Sequence, residues 1–188
     1  VIFDEKAQSC GPNGDNIFAL CMGLGAEHQP QLINTVRKEI AEGTKGHVNV
    51  GFIGAKYFFE TLARHGMNDL AYEAMNKTDF PSYGHWIAQG ATTTWEQWDG
   101  GNSRNHPMMG SGLTWFSRNL AGVQYDEHQP AYRHIIIRPQ VPAQMESVSY
   151  TKQTPYGKVA SSLQRKDGIT TVSVTVPVGS TATLVLPI

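Results

Sequence analysis

The chain has 188 residues, 40% of them hydrophobic and 16% charged, with a formal net charge of −1. That length makes one domain, or one domain and a small second, with a sizeable core under a lightly charged surface. The near-neutral balance points away from nucleic acid, and no apolar run nears the roughly 18 residues of a membrane span.

In chain order, the longest apolar run is IFALCMGLGA, which glycines interrupt. Cys10 and Cys21 are the only cysteines, and no CxxC or Cys/His spacing exists, so no metal is expected. A disulfide between them is open but not implied, and Cys21, inside the apolar run, reads as a buried thiol. The chain starts at Val1 without a signal peptide, so it reads as processed or as an excerpt of something longer.

Asp15 is placed to cap a helix over NIFALCMGL, which is apolar nearly all round and so should be buried. Pro30 suits the first turn of the next helix, QLINTVRKEIAEG, where Ile33, Val36 and Ile40 share a face and Gly43 is the stop. In GAKYFFETLARHG, residues Ala55, Phe58, Phe59, Leu62 and Ala63 follow the i, i+3, i+4, i+7, i+8 spacing of a core-facing helix, with Gly66 as its C-terminal cap. Asn68 can cap DLAYEAMNK, and a fifth helix, LTWFSRNLA, ends at Gly122. Layered helical hairpins of this kind build bundles or α/α barrels. Five helices make a thin bundle, so the apolar first helix is expected to want further partners.

From His134 the pattern changes to strands. HIIIRP is β-branched, while ESVSYTKQ, KVASSLQR, ITTVSVTV and TATLVLP alternate with period 2. Asp167-Gly168 signals a hairpin turn. Val172, Val174 and Val176 share one face, opposite Thr171, Ser173 and Thr175. These features predict a small antiparallel sandwich with one solvated face. The domain boundary is expected near QYDEHQPAYR, giving residues 1–130 and 131–188 as the two domains.

Residues 79–111 lack periodicity, and a loop this long in a compact domain is often functional. It holds Trp86, Trp95 and Trp98 together with His85, Glu96, Asp99 and His106. Aromatic rings beside carboxylates suit a sugar site, where rings stack on a pyranose and carboxylates do acid–base work. Two local registers fit Glu96. In TTWE it is the far partner of a capping box and structural; in TWEQ it lies in a first helical turn with its carboxylate free and kept ionised by the helix dipole, which suits a general base. Asp99, in Asp-Gly-Gly, is either a second carboxylate of the site or a turn residue. Trp95 and Trp98 are either site walls or core, and His106 alone is a weak candidate. Neither a phosphate loop nor a GxSxG elbow occurs.

GHVNVGFIGAKYFFETLARHGMNDLAYEAM, PSYGHWIAQGATTTWEQWDG, NHPMMGS and AYRHIIIRP, in this order, resemble the C-terminal part of the α-L-rhamnosidases of glycoside hydrolase family 78. GATTTWEQWDG is the specific segment. The resemblance implies the last part of an (α/α)6 barrel, covering about five of its twelve helices, followed by a β-sandwich. It implies inverting hydrolysis of terminal α-L-rhamnosides, with Glu96 as general base and His106 binding the sugar or positioning the base. Trp86 and Trp95 are carried along by neighbourhood as substrate-binding wall residues, and Asp99 joins that list on its spacing from Glu96 alone. The family's general acid sits in a carboxylate-rich motif that these 188 residues lack. The expected partners are therefore a rhamnose-containing glycoside or polysaccharide and the remaining N-terminal portion of the barrel, with no nucleic acid, membrane, metal or cofactor. An extracytoplasmic compartment is preferred to the cytoplasm. The alternatives are a non-catalytic carbohydrate-binding or structural module, or another α/α-barrel enzyme such as a polysaccharide lyase. The lyase is disfavoured because Arg104 is the only Arg or Lys in residues 79–111.

Overall fold

The structure, a computed structural model, describes residues 3–4, 9–10 and 13–186. It divides into two compact units, Val1–Gly112 and Leu113–Ile188. Strands β1 (Phe3–Asp4) and β2 (Ser9–Cys10) form a short antiparallel pair at the start.

Helix α1 (Asn13–Met22) begins two residues before Asp15, which lies in its first turn rather than capping it. Ile17, Ala19 and Leu20 are fully buried, but Phe18 and Met22 are exposed. The expectation of burial all round therefore holds for one face only. Cys21 is half-buried and free, not a core thiol, and the side chain of Cys10 lies outside the described residues. Helix α2 (Gln29–Lys38) carries Pro30 in its first turn, where the missing N–H costs nothing, and runs on as a π turn, Glu39–Gly43. Leu32, Val36 and Ile40 face inward, while Arg37, Lys38 and Glu42 face solvent.

Helix α3 (Phe52–Arg64) buries the whole predicted stripe of Ala55, Phe58, Phe59, Leu62 and Ala63. Gly66 follows at φ 70°, a left-handed conformation that ends the helix without a Cβ penalty. Helix α4 (Asn68–Asn76) packs back on α3, and α1 packs on α3 as well. A short helix α5 (Tyr83–Ala88) falls inside the segment that lacked periodicity. Helix α6 (Ser111–Trp115) continues as a π turn, Phe116–Leu120. Among the described residues no helix is long and apolar enough to cross a membrane.

The second unit holds two three-stranded sheets. Strand β3 (Val123–Tyr125) pairs antiparallel with β4 (His134–Ile137), which pairs with β8 (Thr181–Leu184). The last pair is parallel, whereas alternation alone suggested antiparallel pairing throughout. The chain leaves β4, completes a separate meander and returns to the β4 edge in the same direction, and a parallel neighbour requires such a long connection. The meander is β5 (Ser147–Thr154), β6 (Gly157–Lys166) and β7 (Ile169–Thr175). Asp167 and Gly168, both at positive φ, make the predicted tight turn between β6 and β7. Val123, Ile135 and Ile137 of one sheet meet Val159 of the other in a buried apolar core. The Arg165 guanidinium donates to the carbonyls of Val141, Pro142 and Met145, tying the connection from β4 to β5 onto the meander.

Candidate active site

The helical unit builds its chemistry on residues 79–110. Ser82 accepts the backbone N–H of His85 at 3.0 Å and caps α5, a side-chain cap of the ordinary N-terminal kind. From there the tryptophans turn inward. Trp86 is 2% exposed and stacks on Trp98 at 4.5 Å, and its indole N–H donates to the Trp98 carbonyl. Trp98 donates in turn to the carbonyl of Val50, just ahead of α3. Trp95 is tilted against Trp86 at 5.7 Å and carries the Arg104 guanidinium over its ring at 4.7 Å. A Cβ at Gly100, which sits at φ 82°, would come within 2.8 Å of the Trp95 ring. All three indoles therefore pack into the core of the loop.

Tyr83 completes this cluster. It lies edge-on to Trp86 and Trp98, and its hydroxyl donates to the Met109 carbonyl at 2.5 Å. Burial raises its pKa well above the ordinary tyrosine value, against a smaller opposing effect of its hydrogen bond with Ser111. It acts as a neutral strut.

No helix forms around Glu96, so neither capping reading survives. Residues 94–106 instead fold back as a hairpin-like loop. Thr94 and His106 bond each other twice: the His106 N–H donates to the Thr94 carbonyl at 2.8 Å, and the Thr94 hydroxyl donates to the His106 carbonyl at 2.9 Å. One step further in, the Glu96 N–H donates to Ser103 at 2.8 Å, and the Ser103 N–H donates back to the Glu96 carboxylate at 3.2 Å. Asn102, at φ 57°, turns the loop and places its amide 3.4 Å from the other carboxylate oxygen.

This folding brings Glu96 and His106 together. Their side chains are each 23% exposed, with His106 Nδ1 3.8 Å from Glu96 Oε2. The imidazole leans edge-on against the Phe52 ring, centroids 5.0 Å apart, and its Nε2 is buried without a hydrogen-bond partner. A carboxylate has about four lone-pair sites, and the loop fills two, so Glu96 keeps acceptor capacity for a water molecule. Asp99 does not join the pair. It is exposed, and its carboxylate accepts the Gly101 N–H at 2.9 Å, the arrangement of a turn residue.

Residues 7–120 match the pattern of the bacterial alpha-L-rhamnosidase 6 hairpin glycosidase domain, and residues 122–188 that of the bacterial alpha-L-rhamnosidase C-terminal domain. The chain belongs to the bacterial α-L-rhamnosidase family. It is 30% identical to an alpha-L-rhamnosidase of Formosa agariphila over 90% of its length and 31% identical to one of Streptomyces avermitilis over 93%. Those alignments cover 19% and 18% of the two relatives, so the chain spans about a fifth of the curated relatives it matches.

Solved rhamnosidases share the fold. An alpha-L-rhamnosidase from Dictyoglumus thermophilum superposes with a TM-score of 0.88 at 30% identity, covering 97% of this chain and 21% of that one. The Streptomyces avermitilis enzyme complexed with L-rhamnose does so with a TM-score of 0.85 at 26% identity, covering 97% and 19%. Within this family chain, the sequence did not single out two residues that shape the Glu96–His106 pair. Thr94 was one of three consecutive threonines, with nothing local to mark it as the one that faces His106. Phe52 lay outside the aperiodic segment, and only the fold brings it to His106.

Proposed function

We propose that the chain is part of an inverting α-L-rhamnosidase in which Glu96 is the general base. Glu96 takes a proton from water, and the water oxygen attacks the anomeric carbon. The glycosidic bond breaks with its electron pair going to the leaving oxygen, which takes a proton from a carboxylic acid outside these 188 residues. Inversion needs the two carboxyl groups about 6.5–9.5 Å apart, with the water between the base and the sugar. The observation that carries this reading is a partly exposed carboxylate that keeps lone pairs for water and is fixed beside a histidine. His106 would hold Glu96 in place and bind sugar hydroxyls. The family membership and the relative complexed with L-rhamnose support the substrate class.

The test is Glu96→Gln in the intact protein, assayed on an aryl α-L-rhamnoside. Glutamine keeps the shape and one oxygen to accept the Ser103 N–H, gives up the longer contact with Asn102, and cannot take the proton. Loss of general-base assistance is expected to lower kcat by about 10²–10⁴-fold. A fall of less than about tenfold would remove Glu96 from that role. Inversion is read separately, from the anomer of rhamnose that appears first by NMR.

A further inference from the structure

The tip of the loop, residues 100–103, is fixed by its own contacts. The Gly100 N–H donates to the Gln97 carbonyl at 3.0 Å, the Gly101 N–H to the Asp99 carboxylate at 2.9 Å, and Arg104 Nε to the Gly100 carbonyl at 3.3 Å. A Cβ on Gly101 would sit 2.8 Å from the Gln97 side-chain oxygen, so the tip is also closely packed. The two-way bond between Glu96 and Ser103 closes the loop at its base. The backbone at Asn102 is thereby held next to Glu96.

The residue type at 102 matters for a chemical reason. Its backbone lies at φ 57°, where glycine, asparagine and aspartate sit at least cost. Glycine would bring no side chain. Aspartate would bring a second negative charge beside Glu96 and, once ionised, could only accept hydrogen bonds. Of the three, asparagine alone brings a neutral donor. Its amide nitrogen stands 3.4 Å from Glu96 Oε1, while the Ser103 N–H donates to Oε2 at 3.2 Å. His106 Nδ1 also faces Oε2, at 3.8 Å, so among the described residues Asn102 is the partner of Oε1.

The two donors thus reach different oxygens. A carboxylate held at both oxygens cannot rotate about its last bond without losing a contact. Neither donor carries a charge that would neutralise it. The lone pairs left over therefore keep a fixed direction.

We propose that Asn102 is a positioning residue, whose amide fixes the Glu96 carboxylate so that its remaining lone pairs meet the attacking water. The proposal rests on the reading of Glu96 as general base and adds the group that aims it. Asn102 acts through Glu96 and needs no contact with the sugar. Its hydrogen bond is exposed, so its loss should hardly change stability while the aim of the base suffers.

The experiment is a double-mutant cycle on Asn102→Gly and Glu96→Gln in the intact protein, with an aryl α-L-rhamnoside as substrate and melting curves for every variant. Glycine adopts the same positive φ freely, so the loop keeps its path. With Glu96 present, Asn102→Gly should lower kcat about tenfold, the low end for losing a hydrogen bond to a charged group, with KM and Tm little changed. In the Glu96→Gln background there is no base left to aim, and the same change should move kcat by no more than about twofold. Asn102→Asp keeps the side-chain shape without the donor and should lower kcat at least as far as Asn102→Gly. An equal loss in both backgrounds, a loss confined to KM, or full activity in Asn102→Asp overturns the assignment of Asn102. Unchanged activity in Asn102→Gly overturns it too, and leaves the general base standing if Glu96→Gln still costs about 10²-fold or more. If Glu96→Gln itself costs less than about tenfold, the general-base reading falls and Asn102 falls with it.

Discussion

The loop at residues 91–106 and the β5–β7 meander solve the same problem by different means. Each must satisfy its backbone while burying apolar side chains. In the meander, β5 and β6 pair from Ser147↔Gln164 to Thr154↔Gly157, and β6 continues with β7 from Ala160↔Thr175 to Lys166↔Ile169. Those bonds are backbone to backbone, and almost any residue but proline could make them. The loop relies on particular side chains: the Trp86 and Trp98 indoles, the Thr94 hydroxyl and the Glu96 carboxylate. Stability and site geometry are therefore separable in the sheet and joined in the loop.

Truncation of one core residue in each region tests this most severely. Trp98→Ala removes a buried indole, its stack on Trp86 and its bond to Val50, and should cost about 3–5 kcal/mol. Leu163→Ala, in the sandwich core, should cost about 2–5 kcal/mol. Urea denaturation measures both. The distinguishing result is activity per folded molecule, which should collapse for Trp98→Ala and hold for Leu163→Ala. Equal retention in both would mean that the loop is only a structural plug.

The same contrast explains what the sequence made legible. Periodicity found α3 and its buried stripe, the three meander strands and the Asp167-Gly168 turn, because in each of them one repeated local rule sets the outcome. It missed α5, whose six residues are too few to show a period. It missed the parallel β4–β8 pair because register between Ile135 and Ala182 is not a local property. At the site, the aperiodic segment drew attention to Glu96 and the family resemblance added His106, but the capping-box spacing suggested a helix where the chain forms a folded-back loop. The deciding contacts there link Thr94 to His106 and Trp98 to Val50, across 12 and 48 residues. No window of local sequence encodes them. The tryptophans were ambiguous for a related reason: an indole packs equally well on a sugar or on another indole, and only the fold shows that Trp86 and Trp98 face each other.

A gentler change separates the two regions further. Thr94→Val keeps the branched shape and removes only the hydroxyl that donates to His106. It should cost about 0.5–1.5 kcal/mol, the net value of one hydrogen bond. A matching exposed change on the meander, Thr171→Val, should stay within about 0.5 kcal/mol. If the Thr94 bond sets the Glu96–His106 spacing, kcat for rhamnoside hydrolysis falls in Thr94→Val with KM little changed, and Thr94→Ser recovers much of the loss. A parallel loss in KM, or no rescue by serine, would place Thr94 in structure alone.

The smallest expected effect concerns a histidine away from the site. His65 follows α3, and its Nε2 is buried with no hydrogen-bond partner. Burial lowers its pKa below the ordinary 6.5, the neighbouring Arg64 charge acts in the same direction, and its backbone bond with Leu20 opposes them. The folded state therefore binds this proton less readily than the unfolded chain does. Stability should rise as pH climbs from the lowered folded value through 6.5 and then level off, because only the unfolded chain is losing a proton in that window. On acidification the gain is lost, since a proton on Nε2 would meet no acceptor. Urea midpoints at pH 5.5 and pH 8 should thus differ less in His65→Gln than in wild type. If His65→Gln kept the full wild-type slope, the acid sensitivity would belong to other groups, and the unpartnered nitrogen would carry no penalty of its own.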